Sequence, residues 1–373
     1  MYNKADILEE NERLVKDFQA VPFSRLKEAP DFYTFKRSLF FSHRDFDKFY
    51  SKLKNGEKSA LVSGLNPSGT LQLAHRVVFD TVLFFQREFK VQTFVPLSDD
   101  ESYVARKVAS REDAVKHGLE LIVDLLAYGY DKKLTKIVFD FVYPEIFSIA
   151  MTLSRSVTMS EIKAVYGYTN DNNVGLHFYP TVQAAHVILP EIKYGIKNTL
   201  VPIGPDEDAH LRLGRDIAER MGYTKPAILH SRFLPGMDGL KMSKSRPNAA
   251  IFLHDPPEVV DKKIKMAFSG GRDTIAEHRK YGGNPDIDIP FLYLSSFFLS
   301  EAETKNISES YRKGEILSGD LKKMLTESIN KFNAEFKKKR EAITFSDIKQ
   351  VLLVDESKFD LLESLFKDLK ESS

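Results

Sequence analysis

The chain has 373 residues, enough for two domains with separate cores, and its 42% hydrophobic and 12% aromatic content is that of a globular protein rather than a disordered one. A formal charge of +1 gives no global attraction to nucleic acid, so a polyanionic partner has to be met by local basic patches. With no cysteine there is no disulfide and no thiolate-ligated zinc, and any metal chemistry is expected to be of the magnesium kind.

The first residues lack an apolar signal core, and no run approaches the ~18 to 20 uncharged residues of a membrane span, so the expected location is the cytoplasm. Residues 1–55 are mixed and charged and read as an N-terminal extension in which Leu39, Phe40 and Phe41 lead into a helix. From Ala60 the texture changes. Residues 60–62, 93–97, 137–142 and 199–203 are short apolar runs bounded by polar or turn residues, the pattern of buried strands. Helical spacing over 71–85 and 208–221 lies between and after them, and this alternation predicts a parallel sheet with crossover helices over residues 56–255. Ligands then bind where strands hand over to helices. Residues 105–195, above all the Tyr-, Asn- and Ser-rich stretch from 145, fit the alternation poorly and read as an insertion beside the sheet. From 256 to 373 helix signals take over. Ser300-Glu301-Ala302-Glu303 is a capping pattern, and Leu321, Met324, Leu325, Ile329 and Phe332 form one apolar stripe. The basic run Lys337-Lys338-Lys339-Arg340 reads first as a solvated helix face and second as a phosphate contact.

Three segments carry chemistry. The turn Gly64-Leu65-Asn66-Pro67-Ser68-Gly69-Thr70-Leu71-Gln72-Leu73-Ala74-His75 leaves the first strand and enters the first long helix, so its free amides and His75 can donate to a phosphate. A helix-capping turn with a partly buried histidine explains the same residues. Gly204-Pro205-Asp206-Glu207-Asp208 follows the fourth strand, where a carboxylate can accept ribose hydroxyls, and a solvated helix cap is again the alternative. The loop Gly239-Leu240-Lys241-Met242-Ser243-Lys244-Ser245 offers two cations and two hydroxyls to a pyrophosphate. Together they divide a nucleotide among amides and His75 for phosphate, Asp206 for ribose, and Lys241 and Lys244 for pyrophosphate. Such fixed positive groups stabilise charge on a five-coordinate α-phosphate, with magnesium sharing the load.

On these residues the chain resembles class I aminoacyl-tRNA synthetases, and within them the tryptophanyl type of archaea and eukaryotes. Residues 241–245 match the family's second signature and 67–75 stand in place of its first. The stretch 267–286, with Ser269-Gly270-Gly271-Arg272-Asp273-Thr274 and Gly282-Gly283-Asn284-Pro285-Asp286, and the N-terminal Phe41-Ser42-His43-Arg44-Asp45 carry the subgroup. The resemblance implies a Rossmann-type α/β catalytic domain with an inserted connective segment, and an α-helical C-terminal domain that reads the anticodon. It implies ATP and Mg2+, tryptophan and tRNA(Trp) as partners, and a homodimer. Lys241, Lys244, His75 and Gln72 take the catalytic places. Pro67, Ser68, Gly69, Ala74, Gly204, Asp206, Met242, Ser243 and Ser245 take those of the ATP site.

Five departures stand out. Gln72 replaces the first histidine of the first signature, and an amide can donate but cannot become cationic. Ala74 adds a methyl where the family's backbone lies close to adenine. In the amino-acid pocket, Val62 and Pro96 replace a tyrosine and a glutamine, while Glu101 and Gln183 are retained. Glu207 stands where glutamine is frequent. These departures leave two further functions open beside tryptophan-tRNA ligation: activation of another amino acid, tyrosine being nearest, or tRNA or partner binding without catalysis.

Overall fold

The structure, a computed structural model, describes residues 14–67, 69–240 and 246–372. Its strands among those residues are β1 (Val21–Pro22), β2 (Phe40–Arg44), β3 (Ser59–Val62), β4 (Gln92–Leu97), β5 (Thr135–Phe139), β6 (Asn198–Ile203), β7 (Ala227–Ser231) and β8 (Leu352–Leu353). They form one sheet in the order β1-β2-β7-β6-β3-β4-β5-β8. The pairs β1–β2 and β2–β7 are antiparallel, and every pair from β7 to β8 is parallel. From β5 to β7 this is the doubly wound order, in which the chain starts in the middle, winds to one side, and returns to wind to the other.

The four apolar runs expected to be strands became β3 to β6, and burial on both faces explains why they were continuous rather than alternating. Leu61, Val95, Ile137, Phe139, Leu200 and Leu229 pack into a core with the helices Arg76–Phe89 and Arg111–Tyr128 and the C-terminal helices. Their alternate neighbours Ala60, Val62, Phe94, Val138, Val201 and Ile228 pack on the opposite face against Val174–Tyr194 and Asp208–Arg220. β5 stops at Phe139 rather than Val142, because the Asp99 carboxylate takes the N–H groups of Asp140 and Phe141 at 2.8 and 3.1 Å and draws the chain out of the ladder.

β2 and β7 lie outside the four expected runs. Phe-Phe-Ser-His-Arg and Ala-Ile-Leu-His-Ser carry polar residues into the interior, so a search for apolar runs passes over them. Those polar groups are satisfied by one carboxylate. Asp208 accepts two bonds from Arg44 at 2.8 and 2.9 Å and one from Arg212 at 3.0 Å, and pairs with His230 Nε2 at 2.9 Å; His230 Nδ1 meets Ser42 Oγ at 2.9 Å. Burial pushes the Asp208 carboxyl up, but the bonds from His230 and Arg44 outweigh it and hold the group well below the usual carboxylate range.

Residues 105–195 are not an insertion throughout: Arg111–Tyr128 and β5 belong to the sheet and its core, and only the part from 145 inserts between β5 and β6, as three helices, Glu145–Ser154, Met159–Tyr166 and Val174–Tyr194. Beyond it the chain is helical except for β8. Ser300 and Glu303 form the capping box expected of them, with Glu303 accepting from the Ser300 N–H at 2.7 Å and Ser300 Oγ accepting from the Glu303 N–H at 3.3 Å. Leu321, Leu325 and Ile329 of the helix Ser318–Glu341 are fully buried, with Met324 and Phe332 packed beside them.

Two glycines of the 267–286 stretch are needed for close backbone approach. A Cβ at Gly270 would sit 1.9 Å from the Asn284 carbonyl oxygen, and one at Gly282, where φ is +69°, would sit 1.7 Å from that of Arg312. Gly270 also donates its N–H to the buried Asp288 at 2.9 Å. Gly270→Ala is expected to lower stability by about 3 kcal/mol through overpacking, read as a shift in the denaturant midpoint; an unmoved midpoint contradicts the packing described.

Candidate active site

Where strand order reverses between β3 and β6, a cavity of about 380 Å³ opens at the carboxyl ends of the strands. That is within the ~300 to 1,000 Å³ of small-molecule sites. Val62 ends β3, Pro96 lies in β4, and Val201 and Ile203 lie in β6; all four put apolar surface into the cavity. The polar groups come from elsewhere. Tyr179, Gln183, His186 and Val187 line it from one face of Val174–Tyr194, at the 4- and 7-residue spacings that share a helix side. Tyr166 and Tyr168 close another wall.

These groups form two linked sets. Glu101 accepts from Lys107 Nζ on both oxygens, at 2.8 and 2.7 Å, and also from the Asn66 amide, whose Oδ1 takes the Ser102 hydroxyl at 2.6 Å. Gln183 accepts from the Tyr166 hydroxyl and donates to Glu207 at 3.4 Å; His210 Nδ1 meets the same Glu207 oxygen at 3.0 Å. The His210 ring lies flat on Tyr166 at 4.0 Å and 4°. Burial pushes the Glu207 carboxyl up, but the bonds from His210 and Gln183 prevail and keep it ionised below its ordinary value. The cavity thus brings together Val62, Pro96, Glu101 and Gln183, all four expected from the sequence. Lys107, Tyr166, Tyr168, Tyr179, His186 and His210 were not expected there. The helical spacing of Tyr179, Gln183 and His186 was a usable signal; Lys107 and Tyr166 had none.

The other expected residues lie beside this cavity rather than in its lining. After β3 the chain makes a short 3₁₀ turn, Leu73–His75, and enters Arg76–Phe89. Pro67 and Gly69 precede that turn, and Gln72 and Ala74 belong to it. Burial pushes the His75 imidazole down to about 4. His75 is therefore neutral near pH 7, and since Nδ1 accepts the Gln72 N–H at 2.9 Å, its proton sits on Nε2 as a donor. Gly204 and Asp206 follow β6, with the Asp206 carboxylate folded against the Gly204 backbone, 2.6 Å from where a Cβ would be.

Lys241, Met242, Ser243, Lys244, Ser245 and Ser68 lie outside the described residues. The flanks of the lysine loop are described, and they bind it to the first turn. Leu73 N–H donates to Ile251 at 2.8 Å and Leu253 N–H to Leu71 at 2.9 Å, with Gln72 bridged to Phe252. Asp238 joins the two ends, accepting from Leu240 N–H at 3.0 Å and from the Arg246 guanidinium. The turn with Gln72 and His75 and the segment that follows the lysine loop are thus joined by backbone hydrogen bonds.

Beneath the cavity lies a buried acidic cluster. His186 Nε2 and Asp140 Oδ1 are 2.7 Å apart, and Asp100 accepts the Glu101 N–H at 2.6 Å. Burial first, and neighbouring carboxyls second, push Asp99 up to about 8 and Asp100 and Asp140 well above their ordinary values. Burial pushes His186 down to about 4. Between the ordinary carboxylate range and these raised values, the folded chain holds protons that the unfolded chain has released. The stability linked to the cluster is therefore full at low pH and lost as pH rises toward about 8. The depressed histidines act in the opposite sense, but only below their ordinary value of 6.5. Asp100→Asn is expected to flatten the fall in melting temperature between about pH 6.5 and about pH 8.5; equal slopes in variant and parent count against the cluster's raised values.

A family model described as tRNA synthetases class I (W and Y) matches residues 54–334, and the chain belongs to that family. Its relatives lie on the tryptophan side. The tryptophan–tRNA ligase of Sulfolobus acidocaldarius is 38% identical over 311 residues, 82% of this chain and 80% of that protein. The tryptophan–tRNA ligase of Thermococcus sibiricus is 37% identical over 342 residues, 90% of this chain and 84% of that one. The tryptophanyl-tRNA synthetase of the hyperthermophilic archaeon Aeropyrum pernix K1 superposes with a TM-score of 0.85 at 31% identity, over 95% of this chain and 99% of that chain. One from Encephalitozoon cuniculi, solved bound to tryptophan, does so at 0.82 and 29%, over 91% and 97%. As a member of this family the chain is an aminoacyl-tRNA synthetase and uses ATP.

Proposed function

We propose that the protein is a tryptophan-tRNA ligase, which activates tryptophan with ATP and transfers it to tRNA(Trp). The observation that carries this reading is the cavity at the β3–β6 reversal, with aromatic and apolar walls around Glu101 and Gln183 and the two nucleotide segments joined beside it. A carboxylate oxygen of the amino acid bonds to the α-phosphorus of ATP, and the bridging oxygen leaves with pyrophosphate. The terminal ribose hydroxyl of the tRNA then attacks the acyl carbon, and AMP leaves. No protein nucleophile is needed, so the chain supplies position and charge.

In this reading Val62 and Pro96 flank the substrate side chain, and Glu101 and Gln183 orient its polar groups. Pro67, Ser68, Gly69, Ala74, Gly204 and Asp206 hold the nucleoside and inner phosphate. His75, neutral with Nε2–H free of the Gln72 contact, donates to phosphate, and Gln72 supplies an amide where the family has a second imidazole. Lys241 and Lys244, with Met242, Ser243 and Ser245, take the pyrophosphate as charge builds on it. Magnesium belongs to this scheme as a companion of the triphosphate: among the described residues, no group of three or more His, Asp or Glu side chains is placed to hold a metal ion. Residues 256–373 serve as the anticodon-binding domain, residues 145–195 as the connective insertion and the residues ahead of β2 as an extension, in a cytoplasmic homodimer. No helix of the described residues is long and apolar enough to cross a membrane.

A second reading has one observation in its favour. β3 and β4 line the cavity with the apolar residues Val62 and Pro96, and a pocket without hydrogen-bonding side chains there discriminates less between aromatic substrates. Amino-acid-dependent exchange of pyrophosphate into ATP separates the two, with tryptophan expected to support the fastest exchange of the twenty. Background exchange with tryptophan sinks the ligase assignment, and faster exchange with tyrosine transfers it. Lys244→Ala is expected to lower the rate of exchange about 100-fold while leaving the KM for tryptophan within about two-fold, the mark of a group engaged in the transition state.

A further inference from the structure

Arg76 directly follows His75 and opens the helix Arg76–Phe89, and its side chain reaches the C-terminal helices. It enters a cage of rings there. The guanidinium carbon lies 5.0 Å from the ring centroids of Phe297 and of Phe298 and 4.6 Å from that of Phe332, distances at which a cation is attracted to an aromatic ring. Phe297 ends the helix Ile289–Phe297, and Phe332 belongs to Ser318–Glu341. Only 12% of the Arg76 side chain is exposed, so salt screens the attraction little.

A carboxylate takes the polar edge of the guanidinium. Asp80 accepts from Arg76 Nε at 3.2 Å and Nη2 at 3.1 Å, and also from the hydroxyls of Tyr33 and Tyr128. Arg76 Nη1 has no hydrogen-bond partner among the described residues, and the rings stand where an acceptor would. Arg37 holds the corner that carries two of those rings, donating to the carbonyls of Ser296, at 3.1 Å, and Leu299. Tyr128 leads back to the nucleotide side. Its ring meets Phe332 at 6.1 Å and Phe79 at 5.2 Å, and Phe79 stacks on His75 at 5.7 Å and 25°. His75 is thus held from two directions, along the chain by Arg76 and at its ring by Phe79.

We propose that Arg76 is a positioning residue for adenylate formation: caged by Phe297, Phe298 and Phe332, it ties the C-terminal helices to the turn Leu73–His75 and fixes where His75 Nε2–H meets phosphate. Burying a cation is costly to a fold, and an apolar side chain would fill a cage of phenylalanines without that cost. What the arginine adds is direction. Its rigid planar head bonds Asp80 on one edge while the rings surround the rest, so the first turn of the helix has one orientation. This matters to the chemistry because a displacement of about 1 Å in a group that meets the reacting centre can lower the rate on the order of 100-fold. The inference rests on the role that the ligase reading gives to His75.

The test measures amino-acid-dependent pyrophosphate exchange in the full chain, with whichever amino acid the parent activates best. Arg76→Met should lower kcat about ten-fold and leave the KM for that amino acid within about two-fold. Its melting temperature should stay near the parent's, since methionine packs well on phenylalanine rings. In a His75→Ala background the same change should lower kcat by less than about two-fold, because the group being positioned is gone. Phe332→Leu should lower kcat in the same sense and add little to Arg76→Met. An unchanged kcat in Arg76→Met overturns the proposal. So does a loss that persists in full without His75, since Arg76 then acts on the fold alone. A parent that exchanges with tyrosine and not with tryptophan loses the ligase reading, while each of these comparisons still stands.

Discussion

The reversal of winding between β3 and β6 is the constraint on which the rest of the site depends. Successive crossovers in one direction place their helices on one face of the sheet, and crossovers in the other direction place theirs on the opposite face. Two neighbouring parallel strands therefore send their chains apart at their carboxyl ends, and no helix can fill the gap between them. The cavity lined by Val62, Val201 and Ile203 is that gap. Its depth follows from the small or apolar residues at the strand ends, and its polar character comes from whatever the flanking helices present.

A buried carboxylate holds the right-hand half of the sheet in register. Asp208 sits at the start of the helix after β6 and gathers Arg44 from β2, Arg212 from its own helix and His230 from β7. Removing any one partner leaves charge or hydrogen-bonding capacity unmet in the interior, which is why the polar residues of β2 and β7 occur together. Glu207 immediately precedes Asp208, so the same anchor fixes where Glu207 meets Gln183 and His210. The antiparallel edge contributes to the site in this indirect way, by holding the turn after β6 in place.

Electrostatically the site has two different halves. Around the amino-acid cavity every carboxylate already has a partner, Lys107 for Glu101 and His210 for Glu207. On the nucleotide side His75 is held neutral by burial and donates without adding charge. In the proposed scheme the lysine loop brings the positive charge for the phosphates, and its described flanks are joined by Asp238 and bonded to the turn that carries His75.

What the sequence by itself determined was the kind of fold and the kind of chemistry. Parallel strands buried on both faces are legible as apolar runs, helices as stripes and caps, and a nucleotide-handling loop as an ordered local string, because each is encoded within a few consecutive residues. β2 and β7 escaped because their buried polar groups are compensated by a residue far along the chain. The substrate cavity was legible only in part: Val62, Pro96, Glu101 and Gln183 were identified by family position, while Lys107, Tyr166 and His210 carried no local sign of their role. Only the tertiary structure decided that these side chains surround one volume, because crossovers bring together residues from 62 to 211, and no spacing along the chain records which helix face will look into the gap between two strands.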